Sequence, residues 1–401
     1  MRAHHVSLLG LLACAAPAAA PVRPGIEVLL SDSLHVVAGK RVALLTNQTG
    51  IDRAGRRDVD LLRAVPGVQV AFLYNPEHGF RGAEDRPDVP DAVDSASGLP
   101  IYTLYGSARA SALQRLGGVD AVLVDLQDVG ARYYTYVSTG VVLMQAAAHL
   151  GKPFVVLDRP NPLGGDVVQG DVRERPASVE SFVGFLPVPM RHGMTLGELL
   201  LLANDVLGIH ARLTVVPVAG WRRSLYFDET GLPWIPPSPA MPNLESALHY
   251  PGTCLFEGTN LSVGRGTAEP FQLVGAPWID AGAVIQRMRD GLDGVALAPD
   301  TLTPLAPTDA KYGGVRITVV RLRVTDRRAY DPTRTAVALL VALRALYPDS
   351  LRFSVAKFDQ LAGGPELRTA VLAQQEPGAV WQPWDQALVR FRHARLKYLL
   401  Y

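Results

Sequence analysis

Arg41-Val42-Ala43-Leu44-Leu45-Thr46 runs directly into Asn47-Gln48-Thr49-Gly50, and the reading of this join decides the fold. The first six residues form a short apolar run with the length of a strand, and the four that follow are turn formers. Working outward, the same alternation recurs. A helical stretch at 59–64 leads to a strand at 68–73, which ends in Tyr74-Asn75-Pro76-Glu77-His78-Gly79. A strand at 121–124 ends in Asp125-Leu126-Gln127-Asp128, and a helix over about 139–150 leads to a strand at 153–157 that ends in Asp158-Arg159-Pro160-Asn161. Strands separated by helical segments need right-handed crossovers, so the expected class is α/β with a doubly wound, mainly parallel sheet.

A helix at 195–207 and a strand at 213–218 complete this first unit. The Pro-rich stretch 233–242 suits neither a regular helix nor a central strand, so the domain junction is placed in or just after it. Residues 25–240 are thus read as one domain and 241–401 as a smaller α/β domain, with a helix at 281–291, a strand at 314–324 and helices at 332–347 and 384–400. A chain of 401 residues, 48% hydrophobic and 19% charged, has the material for two cores.

Thirty-nine basic residues against 38 acidic ones give a net charge of +1, which provides no global field for nucleic acid or an anionic membrane surface. Two cysteines, Cys14 and Cys254, exclude a disulfide framework. Arg2, His4 and His5 precede an apolar run at 6–13 that is too short to span a bilayer but suits a secretory leader, so residues 1–20 are read as an export signal. Leu11-Leu12-Ala13-Cys14 has the form of a lipobox, which would make Cys14 a lipid tether, and Ala18-Ala19-Ala20 offers an ordinary cleavage site instead. The expected location is periplasmic or extracellular.

The chemistry collects at one place in the pattern. Polar clusters follow the apolar strands directly, and ligands of open α/β sheets bind in the crevice beyond those strand ends. Asn47 and Gln48, Glu77 and His78, Asp125 and Asp128, and Asp158, Arg159 and Asn161 are thereby sent towards one region. Each type also terminates strands and caps helices in many folds. Glu77, in a short rigid loop, is the best candidate general acid if Tyr74 and Phe80 desolvate it; an ion pair with Arg81 would act the opposite way. The segment from Asp125 through Arg132, Tyr133, Tyr134 and Tyr136 combines carboxylates, a guanidinium and aromatic faces, the groups that bind sugars. Glu257, Asn260 and Arg265 lie in a glycine-rich loop through which a backbone can approach a ligand, and Arg265 could pair with a carboxylate. There is no dinucleotide fingerprint, Walker pattern, Gly-x-Ser-x-Gly elbow or spaced metal-ligand set, so neither cofactor nor metal is expected.

Several blocks together carry a resemblance: Thr46-Asn47-Gln48-Thr49-Gly50, Pro76-Glu77-His78-Gly79-Phe80-Arg81-Gly82, Asp158-Arg159-Pro160-Asn161-Pro162, Arg191-His192-Gly193-Met194-Thr195, Pro239-Ala240-Met241-Pro242-Asn243 and Glu257-Gly258-Thr259-Asn260. The chain closely resembles the exo-β-N-acetylmuramidase family typified by NamZ, from about residue 25 to the end. That resemblance implies a Rossmann-like domain with a smaller α/β domain closing a cleft. It also implies a glycosidase that releases N-acetylmuramic acid from the non-reducing end of muropeptide or peptidoglycan fragments, with the family's Glu falling on Glu77. Val263 stands where the family's run has a polar residue.

The expected mechanism has Glu77 protonating the glycosidic oxygen, with His78 orienting or protonating a substrate group. Asp125 or Asp128 would support the oxocarbenium-like centre, or orient a substrate acetamido group that attacks in its place. Arg159 or Arg265 would hold the lactyl carboxylate. The competing reading is an exported two-lobed binding protein for a sugar acid, without chemistry; an amidase or esterase is the third.

Overall fold

Strand β1 (Arg41–Thr46) lies at the middle of a seven-stranded sheet. The computed structural model describes residues 21–86, 88–173, 181–288 and 292–401; the expected leader, with Cys14 and the alanines at 18–20, falls outside them. The remaining strands of the sheet are β2 (Gln69–Asn75), β3 (Ala92–Val93), β4 (Pro100–Thr103), β5 (Ala121–Asp125), β6 (Phe154–Leu157) and, after a separate hairpin of β7 (Gln169–Val172) and β8 (Pro189–Arg191), β9 (Leu213–Val216). Their spatial order is β3-β4-β2-β1-β5-β6-β9, with every pair parallel except β3 against β4. The order reverses direction between β1 and β5, the switch point of a doubly wound sheet, where Thr46 pairs with Asp125.

Alternate side chains divide the sheet's two faces. Val42, Leu44, Leu73, Leu123 and Val155 pack on one side with α1 (Gly25–Asp32) and α2 (Asp58–Arg63). Ala43, Leu45, Tyr74, Val124 and Val156 pack on the other, against α4 (Tyr136–His149) and α5 (Leu196–Val206), which follow a short α3 (Arg109–Leu113). Burial on both faces explains why these strands read as continuous apolar runs rather than as alternating ones.

The C-terminal part begins with α6 (Leu244–Thr253) and contains the antiparallel sheet β10 (Leu273–Ala276), β12 (Ile317–Val324) and β11 (Val295–Leu302), in that spatial order. Helices α7 (Ala281–Arg287), α8 (Pro332–Leu346), α9 (Val355–Ala362), α10 (Glu366–Leu372) and α11 (Pro377–Arg395) complete it. One apolar cluster runs through both parts, joining Val124, Tyr136 and Leu200 to Leu255, Val320 and Leu340.

Several elements that bear on the site escape the periodicity reading, strand β4 and the Pro-rich stretch among them. Strand β4 has four residues and opens on Pro100, so it lacks a strand-length run, yet it extends the sheet beside β2. The Pro-rich stretch is not a linker: Gln48 Nε2 donates to the Pro236 carbonyl at 2.8 Å and the Tyr136 hydroxyl donates to that of Pro237. The chain thus packs its own backbone over the ends of β1 and β5. The void left between Gln127, Arg159 and Trp234 measures about 20 Å³.

Candidate active site

Because the switch-point crevice is filled, the polar cavity lies to one side, beyond the ends of β2 and β4. Glu77 follows β2 by two residues, after Pro76. His78 (φ 71°) and Gly79 (φ 74°) both take the left-handed conformation, which is uncommon for a histidine and turns the chain back sharply. The turn is held by His78, whose Nδ1 lies 2.7 Å from the Glu84 carbonyl; a carbonyl only accepts, so Nδ1 carries the proton. The same nitrogen is 3.8 Å from Asp85 Oδ1.

Glu77 and His78 face a cavity of about 210 Å³. Its walls come from both parts of the chain: Tyr134 and Thr135 ahead of α4, Ser238 and Met241 from the Pro-rich stretch, Tyr250 and Cys254 from α6 and just after it, Glu257 and Arg265 from the glycine-rich loop, and Lys357 and Gln360 from α9. Glu77 Oε2 accepts a 2.5 Å hydrogen bond from Thr135 Oγ1. The Tyr105 hydroxyl lies beside the same carboxylate; burial first, and then that negative charge, push its pKa up. Burial likewise pushes up Tyr134 and the Cys254 thiol.

Arg265 ties the two parts together across the cavity. Its Nε donates to Glu257 Oε1 at 2.6 Å, one terminal nitrogen reaches Asp85 Oδ2 at 3.3 Å, and its guanidinium lies 5.4 Å from the centre of the Phe271 ring. Burial opposes its charge, but Glu257 and Asp85 outweigh burial and hold it above the ordinary arginine range. Lys357 Nζ stands 4.0 Å from Glu257 Oε2 and is half exposed. Asp85 and Glu257 are thus matched by cations, whereas Glu77 is bonded to a hydroxyl. No cluster of three or more His, Cys, Asp or Glu placed to hold a metal occurs among the described residues.

The structure therefore brings together Glu77, His78, Tyr134, Glu257 and Arg265, and leaves the other sequence candidates outside the cavity. Asp125 is fully buried and bonded through both oxygens to Arg159, at 2.5 and 3.0 Å, so neither group is free for a substrate. Asp128 is buried, accepts from the Gly130 amide at 2.7 Å and lies 3.4 Å from His192 Nε2. Asp158 accepts from Thr195, the Gly197 amide and Tyr401. Asn161 and Asn260 are spent on backbone groups around Leu163, Met194, Ser350 and Arg352. Asn47 bonds Thr49 and Tyr136, and Gln48 reaches Pro236. Arg132 donates to the carbonyls of Asp171, Leu361 and Ala362. For these residues the turn, cap and staple roles of Asx and Arg side chains prevail. Val263 is buried in the apolar core.

The neighbours of Glu77 also differ from expectation. The Tyr74 hydroxyl donates to Ala112 and Phe80 packs on the opposite apolar cluster, while Arg81 bonds Ser95. Tyr134, Tyr105 and Thr135 take their place. Tyr105 lies two residues past β4, and Lys357 and Gln360 lie on α9, a short helix absent from the expected elements, although their i, i+3 spacing is visible in Lys357-Phe358-Asp359-Gln360.

Residues 42–245 match the family description of the exo-β-N-acetylmuramidase NamZ N-terminal part, and residues 248–401 that of its C-terminal part. The chain belongs to the NamZ family. Like the NamZ of Bacillus subtilis, it is a glycosidase. It is 40% identical over 383 residues to the peptidoglycan β-N-acetylmuramidase NamZ of Bacillus subtilis (strain 168), an alignment that covers 95% of this chain and 91% of that one. Two crystal structures of DUF1343 family proteins from Bacteroides fragilis NCTC 9343 share this chain's fold. BF0371 superposes with a TM-score of 0.86 at 34% identity, covering 96% of this chain and all of that one; BF0379 does so with 0.72 at 30%, covering 95% and 99%.

Proposed function

We propose that this protein is an exo-acting glycoside hydrolase that removes N-acetylmuramic acid from the non-reducing end of peptidoglycan fragments, with Glu77 as general acid. The observation that carries the reading is the state of Glu77: half-buried, facing a cavity built from both parts of the chain and, among the described residues, tied to no cation, unlike Asp85 and Glu257. A carboxyl so placed has the position that a general acid needs, facing the space where a leaving oxygen would lie. Of the two arginines expected to hold the lactyl carboxylate, Arg159 lies outside the cavity and Arg265 lines it, so the role is assigned to Arg265, which would share its guanidinium with Glu257 and Asp85.

The test uses a disaccharide with N-acetylmuramic acid at its non-reducing end and mass spectrometry of the released sugar. Glu77→Gln keeps the shape and the hydrogen bond from Thr135 but cannot act as an acid. It is expected to lower kcat by about 10²–10⁴-fold with an unchanged circular dichroism spectrum. Turnover at the unmodified rate would remove Glu77 from the reaction. Ligand-induced stabilisation without product in the unmodified protein would favour the non-catalytic binding protein.

A further inference from the structure

We propose that Thr135 is a positioning residue for Glu77, fixing which carboxyl oxygen carries the transferable proton. The inference rests on the reading of Glu77 as general acid. Thr135 occupies the N-cap position of α4, where a threonine ordinarily turns its oxygen to accept a backbone N–H of the first turn. It makes no such bond: its backbone is already near-helical (φ −82°, ψ −6°), and its hydroxyl donates to Glu77 Oε2 at 2.5 Å.

The same molecule shows what a capping threonine does. Thr195, ahead of α5, is extended (φ −76°, ψ 168°) and accepts from the Glu198 amide in a reciprocal capping box. Its hydroxyl also donates to Asp158 Oδ2 at 2.6 Å, so a threonine can cap a helix and hold a carboxylate at once; Thr135 makes no cap bond, and its hydroxyl goes to a side chain 58 residues earlier in the chain. At 8% exposure Thr135 has little access to solvent, so a buried hydroxyl needs this protein partner.

The chemical consequence is directional. With the Tyr105 hydroxyl also beside this carboxylate, the bond from Thr135 to Oε2 is the contact that directs the acid proton to Oε1. In the reaction that proton moves from Oε1 to the glycosidic oxygen as the C1–O bond breaks, with both bonding electrons going to the leaving oxygen. Glu77 is left as a carboxylate, and its bond from Thr135 becomes charge-assisted and stronger. Thr135 therefore stabilises the state that follows proton transfer more than the one before it, which is the condition for a contribution to kcat.

The experiment compares two N-acetylmuramic acid β-glycosides, one with a sugar as leaving group and one with 4-nitrophenol, which departs with little protonation. Thr135→Val removes the hydroxyl at nearly constant shape, and Thr135→Ser retains it. Thr135→Val is expected to lower kcat on the disaccharide about 10- to 100-fold with KM little changed. On the nitrophenyl glycoside it should lower kcat by less than about threefold, and Thr135→Ser should restore the disaccharide rate. Equal losses on both substrates, or none on the disaccharide, would overturn the proposal. Thr135→Ala, which needs no new space, carries the comparison if valine prevents folding. Glu77→Gln measured alongside separates the two failures: if that variant is inactive on the disaccharide while Thr135→Val is not impaired, only the role of Thr135 is lost. If Glu77→Gln is fully active, the reading of Glu77 falls with it.

Discussion

Asp125 and Glu77 both stand at the ends of parallel strands, yet their neighbours give them opposite fates. Asp125 ends a central strand, where burial raises its pKa and the guanidinium of Arg159 opposes that rise; Asp58 is packed close enough to be pushed upward by the charge of Asp125 after its own burial. Such a pair adds little net stability over apolar residues, but breaking it leaves a charge buried alone. Asp125→Ala is therefore expected to cost about 3–5 kcal/mol, read as a lowered midpoint in denaturant, with activity lost only as the protein unfolds. Full stability with no turnover would return Asp125 to the catalytic set. That an acid follows the strands at 68–73, 121–124 and 153–157 is plain from the residues alone. Which acid meets a cation and which meets a hydroxyl is not, because Arg159 and Thr135 reach their partners only after the sheet forms.

At the scale of elements, Asp158 links a strand end to a helix start. It receives Thr195 Oγ1 and the Gly197 amide, both at the N-terminus of α5, where a carboxylate is favoured by the helix dipole. It also receives the hydroxyl of Tyr401 at 2.7 Å. Burial nonetheless dominates those three donors and raises its pKa from 3.8 to about 6. The folded state therefore holds this proton more tightly than the unfolded chain does. The resulting stability is fully present below pH 3.8 and is lost as pH rises through about 6. At roughly 1.4 kcal/mol per pKa unit the loss amounts to about 2–3 kcal/mol. Thermal melts of Asp158→Asn and the unmodified protein at pH 4 and pH 7.5 should differ more at pH 4, because the variant lacks the proton-linked part. A difference independent of pH would contradict this. The helix itself was legible, since Thr195 and Glu198 form a capping box three residues apart. The carboxylate beneath it was not, because periodicity says nothing of what lies under a helix end.

For the whole molecule the decisive feature is that the two parts share one apolar core. Buried arginines reinforce the join: Arg132 donates to the carbonyls of Leu361 and Ala362, and Arg395 to those of Gly165 and Gly193. A fragment ending at residue 245 would expose that core, leave Arg132 without the carbonyls of Leu361 and Ala362, and leave those of Gly165 and Gly193 without Arg395. It is expected not to fold alone, which circular dichroism and amide dispersion in NMR would show, whereas the full chain should melt in one cooperative transition. A well-folded fragment would show that the parts are independent. Apolar runs of strand length, the helices between them and the acid in Pro76-Glu77-His78-Gly79 are local properties, so the parallel sheet and its leading candidate could be read from the amino acids alone. The site needed tertiary structure, because the Pro-rich stretch folds back over the switch point and displaces the cavity towards β2 and β4. Whether a polar side chain becomes a staple, a cap or a free acid depends on partners that are distant in the chain.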